Sequence, residues 1–354
     1  MKQFRIIFTY LTILSLLSSC ISKREEWFYN AEDFETVEKI DAHFHYLTQD
    51  ERYMKFAASQ NFKILTPNWD GEYSIDEQLH IAHSIWSAYP GQFAFFGTFS
   101  VNGFGEQDFA EKTISRIDSC LQAGARGIKI WKNIGMVLQD STGRFVMVDD
   151  PVFEPVFQYL ESNQIPVMAH LGEPKDCWLP EEEMTNPANA HYYRNHPQYH
   201  MFLHPEVPSY EEQIMARDHL LEKHPELDFI GAHLSSLEWS IEELAKRFDK
   251  YPNLKVDLSA RMYHLQYQSE IDREKVRDFL IKYQDRILYG TDYEVHDGPE
   301  SDLPKKLEQI REGWISHWMY LCTDSSLNVK GLQLPRNVID KIYYKNAEKY
   351  FRLP

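Results

Sequence analysis

From residue 39 onward, short apolar runs alternate with longer segments in which apolar residues recur every three or four positions. The short runs predict strands and the periodic segments predict amphipathic helices. Runs such as 227–232 are apolar at almost every position, which is typical of parallel strands covered on both faces. Strands are predicted near 39–43, 62–67, 93–99, 126–131, 165–170, 228–233, 254–258 and 286–291. Helices are predicted near 74–89, 108–123, 150–163, 209–224, 239–251 and 272–283.

Eight strand–helix alternations in one chain predict an α/β protein with a (β/α)8 TIM barrel. No repeat, low-complexity tract or linker divides residues 39–354, so we interpret them as a single domain. The segment 175–208, after the fifth predicted strand, shows no clear periodicity and interrupts the alternation of strands and helices. It is rich in Pro, Asn, His and aromatic residues. Because connections of this length are usually functional, we expect a lid-like loop on the C-terminal face of the barrel. Its histidines are expected at the surface or facing the substrate: His191, His196, His200 and His204.

The first 19 residues combine a basic start with an apolar run over residues 6–17. This pattern predicts an export signal peptide, because the apolar run is too short to span a membrane. Residues 17–20, Leu-Ser-Ser-Cys, resemble the lipobox of bacterial lipoproteins. That resemblance implies cleavage after residue 19, lipidation of Cys20 and anchoring in the bacterial cell envelope, on the periplasmic side or at the cell surface. Residues 20–38 would then be a tether and N-terminal segment; an ordinary signal with a chance cysteine is the alternative.

Composition narrows the class of partner. Removal of the signal leaves 335 residues (354 − 19), of a chain that is 43% hydrophobic, which suits one large barrel. The net charge of −17 becomes −19 when Lys2 and Arg5 are removed. Such a charge disfavours nucleic acid and anionic lipid as partners, so we expect a small-molecule substrate and membrane contact only through the lipid anchor. Three scattered cysteines remain, which predicts no disulfide framework.

Candidate catalytic residues stand where the predicted strands end. In Asp41-Ala42-His43-Phe44-His45, the two histidines would emerge on the same side of the strand and could both reach one divalent metal. The other candidates are Lys129 in strand four, His170 after strand five, His233 after strand six and Asp292 after strand eight. Taken singly, any of these residues is more often a capping or hydrogen-bonding group than a metal ligand. Barrel enzymes carry their chemistry at the C-terminal strand ends, so we expect these side chains on one face.

The pattern of these residues resembles the amidohydrolase superfamily, in its amidohydrolase-related branch of metal-dependent hydrolases and decarboxylases. Two local sequences share the resemblance: Met168-Ala169-His170-Leu171-Gly172-Glu173-Pro174 and Asp285-Arg286-Ile287-Leu288-Tyr289-Gly290-Thr291-Asp292. The resemblance implies one divalent cation, preferably zinc, bound by His43, His45, His170 and Asp292. It also implies that Asp292 and His233 are catalytic. Asp292 would take a proton from the attacking water, and His233, titrating near neutrality, would orient the substrate oxygen or protonate the leaving group.

Four residues are candidate substrate-binding groups. In binuclear members of the superfamily a lysine like Lys129 bridges two metals, but we rank pairing with an acid or binding of a substrate carboxylate above a bridge, and therefore expect one metal. Arg261, just past the strand 254–258, could grip a carboxylate in a bidentate manner or form an ion pair, for example with Asp257. Trp69 and Trp178 could wall the pocket, although core packing predicts them equally well.

The leading functional hypothesis is a metal-dependent hydrolase that attacks a C–N or C–O bond of an amide, lactone or ester. The first alternative is a metal-dependent non-oxidative decarboxylase of an aromatic or unsaturated carboxylic acid, since the branch includes lyases with similar ligands. A non-catalytic envelope binding protein is a third reading, and it would predict losses among the ligands that the chain does not show. The sequence identifies neither the substrate nor the oligomeric state.

Overall fold

The computed structural model describes residues 27–325 and 329–351. The expected signal peptide and Cys20 lie outside these residues. The strands are β1 Lys39–Asp41, β2 Phe44–Leu47, β3 Phe62–Pro67, β4 Phe93–Thr98, β5 Ile128–Ile130, β6 Val167–Ala169, β7 Phe229–Gly231, β8 Leu254–Asp257, β9 Ile287–Leu288 and β10 Tyr293–His296. The α-helices longer than one turn are Arg52–Ser59, Ile75–Ala88, Phe109–Gln122, Glu154–Ser162, Pro187–Asn195, Tyr210–Lys223, Ile241–Lys250, Met262–Lys282, Leu303–Cys322, Arg336–Asp340 and Asn346–Phe351.

Eight of the strands form one parallel sheet in the order β1-β3-β4-β5-β6-β7-β8-β9. A hydrogen bond from Ala42 N to Tyr289 O, 3.0 Å long, joins the ends of the first and last strands. The sheet therefore closes as a (β/α)8 barrel, which confirms the predicted fold class. All eight predicted strands are present, and the chain forms a single domain.

Two apolar layers hold the barrel together. One fills its interior and consists mainly of residues that point inward from the strands: Ile40, Ala42, Leu65, Ala94, Phe96, Met168, Ile230, Ala232 and Leu288. The other lies between the strands and the surrounding helices. In β4 all six residues are buried, because alternate side chains enter the two layers. The last helix contributes Phe351, whose ring lies 5.1 Å from that of Phe96.

The six predicted helices are present with boundaries shifted by a few residues, and one is longer than predicted. The helix expected to begin at 272 begins at Met262, and a local break at Asp272 (φ −150°, ψ 89°) separates its two halves. Helix Tyr210–Lys223 starts at a capping box, in which Ser209 and Glu212 exchange hydrogen bonds with each other's backbone N–H. No helix among the described residues is long and apolar enough to cross a membrane.

The segment 175–208 is more ordered than a simple loop. It contains the helix Pro187–Asn195 and several short 3-10 turns. The buried carboxylate of Asp176 organises it by accepting hydrogen bonds from the backbone of Thr185 and Asn186 and from the side chain of Asn189. We call residues 175–208 the cap.

Candidate metal centre

The ends of β1 and β9 bring the first candidate residues together. Just beyond them, β2 and β10 form a separate parallel pair in which His45 is aligned with Glu294. The backbone N–H of Asp292 donates to the carbonyl of His43 over 2.7 Å. Asp292 has a φ of +66°, a conformation that non-glycine residues rarely adopt and that is often retained at functional sites. The local fold thus places the Asp292 carboxylate between the two histidines.

His43, His45 and Asp292 form a compact ligand cluster. The Oδ1 atom of Asp292 lies 3.2 Å from Nε2 of His43 and 3.2 Å from Nε2 of His45. The potential ligand atoms of these three residues all lie within 4.8 Å of one another. Two nitrogens and one carboxylate oxygen at this spacing form a possible site for a divalent metal.

Asp257 and Ser259 orient the ring of His43. Nδ1 of His43 donates to Oδ2 of Asp257 over 2.8 Å, and the hydroxyl of Ser259 lies 3.0 Å from the same nitrogen. Because Nδ1 carries the proton, Nε2 of His43 presents a lone pair to the cluster. A carboxylate that holds the far nitrogen of a ligand histidine is a common support of metal sites. The geometry therefore assigns Asp257 to ring orientation rather than to the ion pair with Arg261 that the sequence suggested.

The protonation states fit metal binding. Although burial opposes it, the neighbouring imidazoles of His233 and His43 hold the pKa of Asp292 well below its usual range. Burial, and then the charge of Lys129, lowers the pKa of His43. At neutral pH the cluster therefore combines an ionised carboxylate with neutral His43, the forms that ligate metals.

His233 and His170 lie beside this cluster. The ring of His233 is 4.9 Å from that of His43 and 4.2 Å from that of His170, measured between centroids. Nδ1 of His233 donates to the carbonyl of Ser259 over 3.0 Å, which leaves Nε2 as an acceptor. Burial lowers the pKa of His233 to about 3. The prediction that His233 titrates near neutrality is therefore wrong for the structure described, and its imidazole is neutral at pH 7.

An unsatisfied buried nitrogen provides a test of whether these residues fit a metal. Nε2 of His170 is buried and has no hydrogen-bond partner among the described residues, although buried polar atoms are normally paired. Nε2 of His43 and Oδ1 of Asp292 face each other as two acceptors, an arrangement that a cation would stabilise. The donor set fits a divalent metal held by His43, His45 and Asp292, with His170 as the adjacent fourth candidate. His170 is not part of the compact cluster itself.

Lys129 lies inside the site rather than at its rim. Its Nζ donates to Nε2 of His43 over 3.3 Å, and burial lowers its pKa to about 8. Asp257 and Asp292 attract its charge, but no ion pair of Lys129 occurs within the described residues. Lys129 is therefore adjacent to the atoms that would hold a metal. Of its two expected roles, pairing with an acid at the barrel mouth is not observed, and binding of a substrate carboxylate stays a prediction.

Arg261 lies close to the histidines, and within the described residues it forms no ion pair with a carboxylate. It is 9% exposed. Its Nε atom has no hydrogen-bond partner among those residues, and Nη1 donates to the carbonyl of Ala260. Its charge is near enough to contribute to the lowered pKa values of His233 and His170. A buried cation without a carboxylate partner suits an anionic group of a ligand.

The two tryptophans that were predicted to wall the pocket have different positions. The ring of Trp69 lies 4.4 Å from that of His45, so it borders the ligand cluster. Trp178 lies in the cap: it donates its Nε1–H to Pro208 O of the cap over 3.1 Å and packs against Tyr210 at the start of the following helix.

The cap histidines do not form a second cluster. Three of them hydrogen-bond backbone carbonyls of the cap itself: His196 to Tyr192, His200 to Leu179 and His204 to Pro197. Within the described residues, none belongs to a group that could hold a metal. Their contacts indicate structural roles within the cap.

Asp257 and Ser259 are the main residues that sequence reasoning missed. Asp257 is fully buried within β8. A carboxylate at the end of a strand predicted to be buried is the signal that could have identified it, because buried charges require partners. For Ser259 the sequence carries no comparable signal.

Comparisons with known proteins agree with this geometry. The Amidohydrolase family matches residues 84–353, more than half of the chain, so the chain belongs to the amidohydrolase family. The matched part includes His170, His233 and Asp292, whereas His43 and His45 precede it. No curated protein matches significantly.

Several solved structures share the fold at low sequence identity. A crystal structure described as an amidohydrolase II has 16% identity and a TM-score of 0.53, and the alignment covers 89% of this chain and 100% of that one. An amidohydrolase from Mycobacterium avium subsp. paratuberculosis K-10 has 14% identity and a TM-score of 0.43, covering 86% and 74%. An amidohydrolase from Pseudomonas aeruginosa has 12% identity and a TM-score of 0.45, covering 91% and 98%. Of these three, the first has a TM-score above 0.5 and supports the fold.

Proposed function

We propose that this protein is a metal-dependent hydrolase that attacks a C–N or C–O bond of a small molecule, such as an amide, lactone or ester. Family membership supports a hydrolase in general terms. The observation that carries the proposal is the ionised Asp292 carboxylate held 3.2 Å from two imidazole nitrogens. Beside it, Nε2 of His170 has no hydrogen-bond partner among the described residues, and the carboxylate of Glu173 lies 4.0 Å from it. We further propose one metal ion per chain, preferably zinc.

The residues have distinct roles in this proposal. When bound, a divalent cation would supply a Lewis acid and an activated water. Asp292, ionised at neutral pH, accepts the proton that the attacking water loses and passes it to the nitrogen or oxygen that leaves, which regenerates the carboxylate. His233 presents the unprotonated Nε2 and accepts a hydrogen bond from an N–H or O–H group of the substrate or from the attacking water. Its low pKa leaves little imidazolium to protonate a leaving group. Arg261 binds an anionic group of the substrate.

A decarboxylase remains the second candidate, and one observation favours it. Lys129 and Arg261 are two buried cations that form no ion pair with a carboxylate in the described parts of the chain, and a carboxylic acid substrate would satisfy such groups. In that reaction the substrate carboxylate would leave as carbon dioxide, the carbon that carried it would take up a proton, and no water would be consumed.

The experiment that separates these functions follows the oxygen atoms of the product. Purified protein loaded with Zn²⁺ would be incubated in ¹⁸O-labelled water with panels of lactones, amides, esters and aromatic acids. Hydrolysis predicts one ¹⁸O atom in the product and loss of turnover in Asp292→Asn. Release of carbon dioxide with no ¹⁸O in the organic product would instead establish the decarboxylase. Stoichiometric binding without turnover of any compound would favour the binding-protein reading.

We also propose that the protein is an envelope lipoprotein anchored through Cys20, with no nucleic-acid partner. The support is the sequence pattern of residues 1–20 together with the net charge. Metabolic labelling with a radioactive fatty acid tests this proposal, because Cys20→Ala should abolish incorporation of label.

A further inference from the structure

The turn that carries His233 has an unusual backbone. His233, Leu234, Ser235 and Ser236 have φ values of 59°, 56°, 57° and 55°. Four consecutive residues are therefore left-handed, and none is glycine. Left-handed backbone is unfavourable for each of these L-residues, so contacts from outside the turn are needed to hold it.

The helix Tyr210–Lys223 provides two of these contacts. Nη1 of Arg217 donates to the carbonyl of Ser235 and, over 3.0 Å, to its hydroxyl. The hydroxyl of Tyr210 donates to the carbonyl of Ser236 over 2.5 Å. Successive carbonyls of the left-handed turn are thus bound from one helix.

The opposite side of the turn is bound by the barrel. The backbone N–H of His233 donates to Oδ1 of Asp257 over 2.8 Å. The hydroxyl of Ser236 donates to the carbonyl of Leu171 over 2.8 Å. The turn is therefore held between the barrel strands and the helix, with the ring of His233 fixed at its first residue.

The burial of Arg217 indicates that this contact is specific. Arg217 is 2% exposed, and a buried guanidinium is unfavourable unless its N–H groups and its charge are satisfied. Its charge is paired with Asp218 through Nη2 over 2.6 Å, while Nη1 is directed to the turn. A second arginine, Arg247, also bonds Asp218, and it bonds Glu243 as well. An arginine can therefore pair with Asp218 without contacting the turn, whereas Arg217 does both.

We propose that Arg217 and Tyr210 are positioning residues that hold residues 233–236 in the left-handed conformation and thereby aim Nε2 of His233 at the substrate. Neither residue contacts the ligand cluster through any hydrogen bond of the structure described. The effect on turnover rests on the proposed function of His233, whereas the effect on its ring can be measured without any substrate.

The first test measures the ring of His233 by long-range ¹H–¹⁵N correlation spectra of ¹⁵N-histidine-labelled protein, with the signal assigned through His233→Gln. The native protein should show only the tautomer protonated at Nδ1. Arg217→Met and Tyr210→Phe should each broaden this signal or add the other tautomer, and Arg247→Met should leave it native. A native signal in Arg217→Met and Tyr210→Phe would overturn the proposal.

The second test uses glycine to relieve the turn. Arg217→Met should lower kcat 10- to 100-fold with KM changed less than 3-fold, and Arg217→Met combined with Ser235→Gly should recover at least 5-fold. Glycine adopts positive φ freely, and this change also removes the hydroxyl that Arg217 satisfied. Loss of activity that parallels a lower melting temperature, without glycine rescue, would show a merely structural role and overturn the proposal. If native protein turns over no substrate, the hydrolase proposal fails while the NMR result still decides this one.

Discussion

Replacing Asp257 by asparagine tests how the site prepares His43 for metal. One carboxylate oxygen of Asp257 accepts from the backbone N–H groups of His233 (2.8 Å) and Ser259 (3.1 Å), and the other accepts from Nδ1 of His43 (2.8 Å). Asparagine has only one acceptor oxygen. If that oxygen keeps the two backbone N–H groups, the amide NH₂ faces His43, and Nδ1 must become an acceptor.

The consequence of this change is a different tautomer of His43. With Nδ1 accepting, the proton moves to Nε2, the atom that faces Asp292 in the ligand cluster. Flipping the amide would instead leave two buried N–H groups opposite NH₂, each costing about 1–3 kcal/mol. We therefore expect Asp257→Asn to weaken metal affinity roughly 10- to 100-fold, the usual effect of losing such a support. This corresponds to about 1.4–2.7 kcal/mol.

Competition with a chromophoric zinc chelator measures the affinity of Asp257→Asn directly. Asp176→Asn is the matched control, because Asp176 is also a buried aspartate that accepts backbone hydrogen bonds but lies in the cap. Both variants should lose some stability, and only Asp257→Asn should lose metal affinity. A Kd within 3-fold of native for Asp257→Asn would refute the orientation argument.

Three further outcomes are expected. Arg261→Met should raise KM at least 10-fold for a carboxylate substrate but not for its methyl ester, with an unchanged melting temperature; equal effects on both would contradict anion binding. Lys129→Gln should keep one metal per chain by elemental analysis, whereas a fall from two to one would restore the bridging role. Burial lowers the pKa of His264 to about 3 and that of His317 to about 4. The unfolded chain then binds one more proton per histidine below pH 6.5, so the stability lost between pH 6.5 and 5, measured by urea denaturation, should be smaller in His264→Gln and in His317→Gln than in the native protein, by about 1.6 kcal/mol each; an equal loss in native protein and variants would exclude this linkage.

The barrel could be predicted because its strands are covered on both faces and therefore read as continuous apolar runs. The strand 93–98 is an example, since every one of its side chains is buried. The paired strands β2 and β10 could not be predicted in the same way. Each has four residues, and their pairing joins segments about 250 positions apart in sequence, which no local pattern records. That pair nevertheless helps to place His45 beside Asp292.

The candidate residues were predictable as a set because histidine and aspartate recur where strands end. Their electrostatics were not, because burial depends on the whole fold. His233 was expected to titrate near neutrality, but complete burial lowers its pKa to about 3. Lys129 was expected either to pair with an acid or to bind a substrate carboxylate; the barrel interior directs its Nζ to Nε2 of His43, and substrate binding stays a prediction.

The cap illustrates a third limit of sequence reasoning. Its short turns are held by the side chain of Asp176 rather than by an apolar periodicity, so no period marks them. The helix Met262–Lys282 was predicted to begin only at residue 272. Its first half precedes the break at Asp272, so the two halves do not form one continuous helical pattern.

The most direct test of the central claim is the metal content of protein beginning after Cys20, purified without chelators and measured by inductively coupled plasma mass spectrometry. We predict about one transition metal ion per chain in the native protein and in the control His80→Ala, an exposed helix residue. His45→Ala and Asp292→Ala should contain less than roughly 0.1 ion per chain, because each removes a ligand atom of the compact cluster. Native protein that holds no metal after incubation with Zn²⁺, or variants that keep the full amount, would contradict the account.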